Sequence, residues 1–266
     1  MKKMSKAIYK PIGKAGEYAE WACNLYVGCS NDCSYCYCKK GVLAHAMGVP
    51  EAKLKACFKD EDDAMKIFIK ELEANLPELQ KSSLFFTFSS DPMIPQTREL
   101  NWRCIIEAVT SEVPCQILTK NADFVDDSML KLEWAMKHSN IHTYTAWGFT
   151  LTGADELEPG ASTNKERINT MRRLHDMGFR TFASIEPVVS PEKAAAILQK
   201  TKDCCDLYKV GLMSGVKQDY YNKEDILEMV HCFQESGKPV YLKKSITGYL
   251  SLPEDSPKNI FDIEKF

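Results

Sequence analysis

Residues 168–212 read INTMRRLHDMGFRTFASIEPVVSPEKAAAILQKTKDCCDLYKVGL. Ile168, Met171 and Leu174 recur at helical spacing, and Gly178 falls where a left-handed C-terminal cap belongs. The run FRTFASI (179–185) follows at once and predicts a strand. Ser190-Pro191 then supplies an N-cap and a first-turn proline for a second helix. LYKVGL (207–212) predicts the next strand. Strands that alternate with helices and stay apolar along their length imply a parallel sheet covered by helices.

The same alternation extends in both directions. Upstream, Met65, Phe68, Ile69, Leu72 and Leu76 mark a helix over 61–76, with Pro77 at its end. LFFTF (84–88) is rich in aromatics and too short for a helix, so it predicts a buried strand. Trp102, Ile105, Ile106 and Val109 share a helical face before the strand CQILT (115–119). Leu130 and Trp134 mark another helix, followed by the strand TYTAWGFTL (143–151). Downstream, Ile226, Val230 and Phe233 give a helix closed by Gly237, and VYLKK (240–244) is a last strand. With a strand near ACNLYV (22–27), the chain has about seven strands separated by helices.

Right-handed crossovers leave an open doubly wound sheet or a full or partial barrel. In either, ligands meet the carboxyl ends of the strands. The residues to examine are therefore the loop from Gly28, Ser89 to Asp91, Lys120, Thr150 to Thr152, Glu186, Met213-Ser214 and Lys243-Lys244. No repeat or linker divides the chain, and SLPEDSPKNIFDIEKF (251–266) reads as a surface tail.

With 34 basic and 37 acidic residues, a net charge of −3, 44% hydrophobic and 27% charged residues, the composition is that of a globular chain. It excludes disorder, collagen-like sequence and a coiled-coil rod. No run approaches the ~18 apolar residues of a membrane span, and MKKMSKAIYKPIGK lacks the apolar stretch of a secretory signal. The expectation is a cytoplasmic protein with no membrane association. Lys2, Lys3, Lys6, Lys10 and Lys14 make residues 1–19 a basic arm, while the near-neutral balance speaks against a nucleic-acid footprint over the whole chain. Cysteine stands out: eleven are present in a chain without an export signal. Reduced thiols that cluster point to metal binding or catalysis rather than disulfides.

The cluster lies in GCSNDCSYCYC (28–38). Cys29, Cys33 and Cys36 have the spacing C-x3-C-x2-C, with Tyr35 and Tyr37 on either side of the third. Thiolates hold iron–sulfur clusters because soft sulfur suits the iron centres. Three can hold three irons of a cubane and leave the fourth without a protein ligand, and an open position distinguishes a catalytic metal site from a closed one. A zinc ribbon needs a second C-x2-C, for which adjacent Cys204-Cys205 is a poor substitute. A closed four-cysteine cluster would recruit Cys38 or Cys23, but Cys38 is so near Cys36 that sharing one cluster strains the loop. The spacing favours the open cluster.

C-x3-C-x-aromatic-C after a first strand, on a chain of alternating strands and helices, resembles the radical S-adenosylmethionine (radical SAM) superfamily. NLYVGCSNDCSYCY (24–37), together with FTFSSDP (86–92), ILTK (117–120) and GFTLTGADELEPGASTNKERINTMRRLHDMGF (148–179), resembles its spore photoproduct lyase-like branch over about residues 20–215. The resemblance implies a partial (β/α)6 TIM-like barrel over 20–250, with one extra C-terminal strand, open at the side where substrate enters. It implies a [4Fe-4S] cluster on Cys29, Cys33 and Cys36, and S-adenosyl-L-methionine chelating the unique iron through its amino and carboxylate groups. A donor such as flavodoxin or ferredoxin would supply the electron. Reductive cleavage would give methionine and a 5′-deoxyadenosyl radical that abstracts a hydrogen from an unknown substrate.

By position, the resemblance assigns Ser89, Ser90 and Asp91 to the methionyl amino group and Lys120 to its carboxylate. It assigns Thr150 to ribose or carboxylate, and Glu186 to ribose, adenine or substrate. Tyr35 and Tyr37 stand where an aromatic residue passes a hydrogen atom. One of Lys243 and Lys244 should point inward, where it could bind an anionic substrate group. One departure is plain: spore photoproduct lyases carry a hydrogen-donating cysteine at the end of their second strand, and none of residues 84–95 is Cys. The alternatives are nucleic-acid modification or photoproduct-type repair by the same radical chemistry, or a non-catalytic iron–sulfur electron carrier.

Overall fold

A computed structural model of the chain describes residues 7–41, 44–125, 141–217, 219–253 and 258–265. Ten strands are present among them: β1 Ile8–Tyr9, β2 Trp21–Cys23, β3 Tyr26–Val27, β4 Lys53–Leu54, β5 Leu84–Phe86, β6 Cys115–Thr119, β7 Thr145–Thr150, β8 Arg180–Val188, β9 Leu207–Leu212 and β10 Val240–Leu242. Eight form one sheet in the order β1-β2-β5-β6-β7-β8-β9-β10. Only β1 is antiparallel to its neighbour; the remaining pairs are parallel. From β2 to β10 the order follows the chain with no reversal, so the sheet is not doubly wound. β3 and β4 pair separately as a small ribbon.

The longer helices are α1 Glu61–Ala74, α2 Arg98–Thr110, α3 Asn164–Asp176, α4 Pro191–Thr201, α5 Lys223–Gln234 and α6 Lys244–Leu250. Their starts follow from local chemistry. Asp60, Ser190 and Asn222 each accept a backbone N–H at a helix N-terminus. Thr163 and Glu166 form a reciprocal capping box. At the other end of α3, Gly178 has φ +86° and turns the chain into β8.

Alternation along each strand divides the side chains between two faces. Phe86, Ile117, Trp147, Phe149, Ile185 and Val210 join helix residues such as Phe68, Ile105, Leu174 and Phe233 in the main core. The opposite face holds Phe85, Ala146, Phe182 and Leu207, in smaller clusters. A Cβ at position 148 would lie 2.2 Å from the Phe182 ring, which is why β7 carries glycine there. This second face also buries Gln116, Ser184 and Lys209. Lys209 Nζ on β9 lies 3.0 Å from Gln116 Oε1 on β6, three strands away.

Several sequence expectations are corrected. ACNLYV is two strands in two sheets. Asn24 ends β2 by accepting from Phe88 N–H through Oδ1 and donating to the Tyr9 hydroxyl through Nδ2. Pro77 opens the short helix Leu76–Lys81, where its missing N–H costs nothing, and α1 ends at Ala74. LFFTF is a strand only over Leu84–Phe86. TYTAWGFTL begins at Thr145, after a helical turn Ile141–Tyr144 that the Thr145 hydroxyl closes on Ile141 O. VYLKK ends at Leu242, and Lys244 begins α6. Ile106 is exposed rather than packed. The helix marked by Leu130 and Trp134 lies outside the described residues, as do Lys2, Lys3 and Lys6.

Residues 7–19 are not a free arm: Ile8–Tyr9 pairs with β2, and Tyr18 is buried. The segment read as a surface tail also packs. Ile260 is wholly buried against Ala146, Phe182 and Leu207, and Asn259 bonds Gln116 and Ser82 O. No helix among the described residues is long and apolar enough to cross a membrane.

Candidate functional site

A cavity of about 560 Å³ lies at the carboxyl ends of the parallel strands, with the cysteine loop as one wall. The loop leaves β3 through Gly28, whose φ of +82° and close approach to Glu51 O (2.3 Å from a Cβ) admit no side chain. Cys29 N–H donates to Val49 O at 3.0 Å, and Cys36 N–H to Cys33 O at 3.2 Å. Cys29, Cys33 and Cys36 all line the cavity, as do Tyr35 and Tyr37. The other expected residues, Ser89, Ser90, Asp91, Lys120, Thr150 and Glu186, line the same space. Thr152 does not; its hydroxyl donates to Glu158 Oε2 at 3.1 Å.

The thiols differ. A hydrogen bond from Cys38, with help from backbone N–H groups and Lys120 against the cost of burial, pulls the Cys36 thiol down to about 6. Burial pushes Cys33 up, and burial with the Asp91 charge pushes Cys29 up to about 12. Among the described residues, no three His, Cys, Asp or Glu side chains gather as ligands of a single ion. A cubane makes no such demand, because each thiolate takes its own iron corner.

Tyr35 and Tyr37 are both engaged. The Tyr35 hydroxyl donates to Glu158, which is paired with Arg167 at 2.5 Å. Burial and the Glu158 charge hold this phenol far above its ordinary range. The Tyr37 hydroxyl donates to Phe88 O. Backbone contacts add to the Tyr35 tie: Ser34 N–H to Leu157 O at 2.9 Å and Gly160 N–H to Asn31 O at 3.1 Å. Segment 157–160 thus braces the cysteine loop.

Asp91 is satisfied by four donors. Met93 N–H and the Thr119 hydroxyl reach Oδ1, while Asn31 Nδ2 and Lys120 N–H reach Oδ2. That is about the capacity of a carboxylate, so Asp91 clamps the ends of β5 and β6 to the cysteine loop. Ser89 is likewise used, donating to Tyr26 O at 2.5 Å. Three buried side-chain oxygens remain without a protein partner among the described residues, Asn31 Oδ1, Ser90 Oγ and Asn101 Oδ1, and the first two belong to residues that line the cavity. The Asn31 amide is oriented by its Nδ2 bond to Asp91, which leaves the carbonyl end free. Burial disfavours the Lys120 ammonium, but negative charge at Cys33, Glu158 and Asp91 outweighs it and raises its pKa.

On the far wall, Lys243 Nζ lies 2.7 and 2.9 Å from the Glu186 oxygens. The Tyr18 hydroxyl donates to Glu186 at 2.6 Å and lies 2.7 Å from Ser184 Oγ. Glu186 therefore pairs with Lys243. Lys243 is the inward member of its pair and Lys244 the exposed one.

Sequence reasoning missed Asn31, Tyr18, Ser184, Glu158 and Arg167. Asn31 could have been found from its place inside the cysteine triplet. The others carry no local signal.

No family model matches the chain. An uncharacterized protein of Methanocaldococcus jannaschii is 23% identical over 182 residues, 64% of this chain. An uncharacterized protein of Acidianus two-tailed virus is 22% identical over 200 residues, 72% of this chain. The chain spans 61% and 64% of the lengths of these two relatives, neither of which has an assigned activity.

Proposed function

We propose that the chain is a radical SAM enzyme on a partial (β/α)6 barrel with one extra C-terminal strand. The observation that carries the reading is the meeting of three thiols, Cys29, Cys33 and Cys36, with the ends of β5, β6, β7 and β8 around one cavity. Sequential parallel strand order supports the barrel. So does the contact between Lys209 and Gln116: strands three apart in a flat sheet stand about 14 Å from one another, and curvature shortens that distance.

The donor set suits the cofactors the reading needs. Three thiols suit three irons, and the lowered Cys36 thiol reaches the thiolate form most readily. The unpartnered oxygens of Asn31 and Ser90 suit an ammonium, and the Lys120 ammonium suits a carboxylate. When bound, a [4Fe-4S] cluster and S-adenosylmethionine supply an electron and a cleavable sulfonium, from which hydrogen abstraction from substrate begins. The chain's own part is to hold and shield. Tyr35 and segment 157–160 fix the cysteine loop, Asp91 fixes the strand ends to it, and Phe88, Leu118 and Leu212 give the cavity apolar walls. An electron donor such as flavodoxin or ferredoxin would be the protein partner.

The test is anaerobic reconstitution with iron and sulfide, then incubation with dithionite and S-adenosylmethionine. Wild type should release 5′-deoxyadenosine and methionine, and the C29A/C33A/C36A variant neither. Release by the triple variant, or none from iron-loaded wild type, overturns the reading. One observation favours a second reading, a closed electron-transfer cluster: Cys38 lines the same cavity. In that case, adding S-adenosylmethionine leaves the cluster spectrum unchanged.

A further inference from the structure

The cavity is more basic than the molecule that contains it. The chain carries a net charge of −3, yet Lys14, Lys39, Lys40, Lys120 and Lys243 all line this space. The acidic groups there are committed: Asp32 to Lys39, Glu186 to Lys243, and Asp91 to its four donors. Lys14 and Lys40 form no ion pair among the described residues.

These two lysines arrive from different elements and meet at one residue. Lys14 lies on the turn Gly13–Glu17, and its Nζ donates to Ser214 Oγ at 2.7 Å. Lys40 follows the cysteine loop, and its Nζ donates to Ser214 O at 3.2 Å. Ser214 stands just past the carboxyl end of β9. The next residue is Gly215, with φ +76°, and a Cβ there would lie 3.4 Å from Lys40 Nζ. That is an ordinary contact, so it is the left-handed backbone that favours glycine here. Two like charges on one serine, with no ion-pair partner among the described residues, repel one another, and a bound anion relieves that repulsion.

We propose that Lys14, Lys40 and Ser214 form a site at the cavity mouth for a phosphomonoester group, held while the rest of a small molecule extends inward. Two ammoniums match the charge of about −1.5 to −2 on a phosphomonoester near pH 7 better than a carboxylate's single charge. The cavity, at about 560 Å³, falls within the ~300–1,000 Å³ of small-molecule sites. The anion site uses lysines other than Lys120, which feels the charges of Cys33, Glu158 and Asp91. That the phosphate belongs to the substrate of a radical reaction rests on the reading above; the site itself does not.

The test is calorimetric titration of the full chain, without iron, with inorganic phosphate at low salt. K14A/K40A should bind at least about tenfold more weakly than wild type, while K14R/K40R should keep the affinity within about threefold because the charges remain. K200A/K202A, which removes the same charge from the end of α4, should bind like wild type. The proposal is overturned by no binding in wild type, by equal binding in K14A/K40A, or by an equal loss in K200A/K202A. It is overturned also if acetate competes as well as inorganic phosphate, or if a short single-stranded oligonucleotide binds more tightly than inorganic phosphate and depends on the same lysines. Because 5′-deoxyadenosine release is measured separately, either conclusion can fail while the other stands.

Discussion

Arg167 Nη2 lies 2.5 Å from Glu158 Oε2, and neither side chain has any exposed surface. The guanidinium also donates to Thr150 O and Ser162 O, at 2.6 and 2.7 Å. The second carboxylate oxygen receives the Tyr35 hydroxyl. A buried pair of this kind connects α3, the end of β7 and the cysteine loop. Arg167→Met strands a buried carboxylate and should lower stability by about 3–5 kcal/mol. Tyr35→Phe removes one hydrogen bond and should cost about 1–3 kcal/mol. Urea denaturation measures both. A wild-type midpoint for Arg167→Met would contradict the role given to the pair, and iron retention after reconstitution should fall in Tyr35→Phe.

Gly160 is the second point of the brace. A Cβ there would lie 2.0 Å from Ser30 O, a backbone atom that cannot swing aside. Gly160→Ala must therefore push the cysteine loop away from segment 157–160. The expected cost is about 1–3 kcal/mol, with less iron bound per chain. Unchanged iron content and thermal midpoint would show that the two segments tolerate separation.

The cysteines should sort into two groups. Cys23, Cys104, Cys115, Cys204 and Cys205 are buried in the main core and behave there as small apolar residues. Cys104→Ala should cost about 1 kcal/mol and leave iron binding unaltered. Cys29→Ala, Cys33→Ala and Cys36→Ala should each lower iron loading with little change in the stability of the apo chain. Cys38→Ala should retain iron, since the open-site reading gives it no iron to hold. Loss of iron from Cys38→Ala would favour the closed cluster. Colorimetric iron and sulfide assays decide among these outcomes.

Lys209 gives a pH prediction. Burial, with the nearby Lys243 charge, pulls its ammonium down to about 7, against the partial support of Glu186. In the unfolded chain a lysine titrates near 10.4. Between about pH 7 and pH 10 the unfolded state therefore holds more protons at this group, and its contribution to stability rises with pH. Below about pH 7 both states are protonated and the desolvation penalty is present in full. Lys209→Met removes the penalty, so its stability advantage over wild type should be largest near pH 6.5. It should shrink by up to about 1.4 kcal/mol per pH unit towards pH 9. A difference that stays constant from pH 6 to 9 would show that Lys209 does not titrate in this window. Measuring the difference between the two proteins cancels the opposite trend expected of the buried thiols and phenols.

The strand–helix alternation was legible because it is local. Ser190-Pro191 caps α4, Gly178 ends α3 in the left-handed region, and the apolar runs at 115–119, 179–185 and 207–212 enter the sheet. The cysteine triplet and the strand-end residues were also found from the chain alone, because ligands meet a parallel sheet at its carboxyl ends and strand ends can be read from hydropathy. Errors gathered at boundaries, where side-chain hydrogen bonds outcompete periodicity: Asn24 ends β2, and the Thr145 hydroxyl closes a helical turn before β7.

The sequence by itself determined the order of elements, the thiol spacing and the wall of strand ends. Only the tertiary structure decided what each of those groups is free to do. Asp91 is spent on four donors, Tyr35 on Glu158 and Glu186 on Lys243, whereas among the described residues Asn31 Oδ1 and Ser90 Oγ stay unpartnered and Lys14 and Lys40 meet at Ser214 without an ion-pair partner. The reason is that hydrogen-bond capacity and charge compensation are settled between residues up to 200 positions apart. Periodicity and spacing report only on neighbours along the chain.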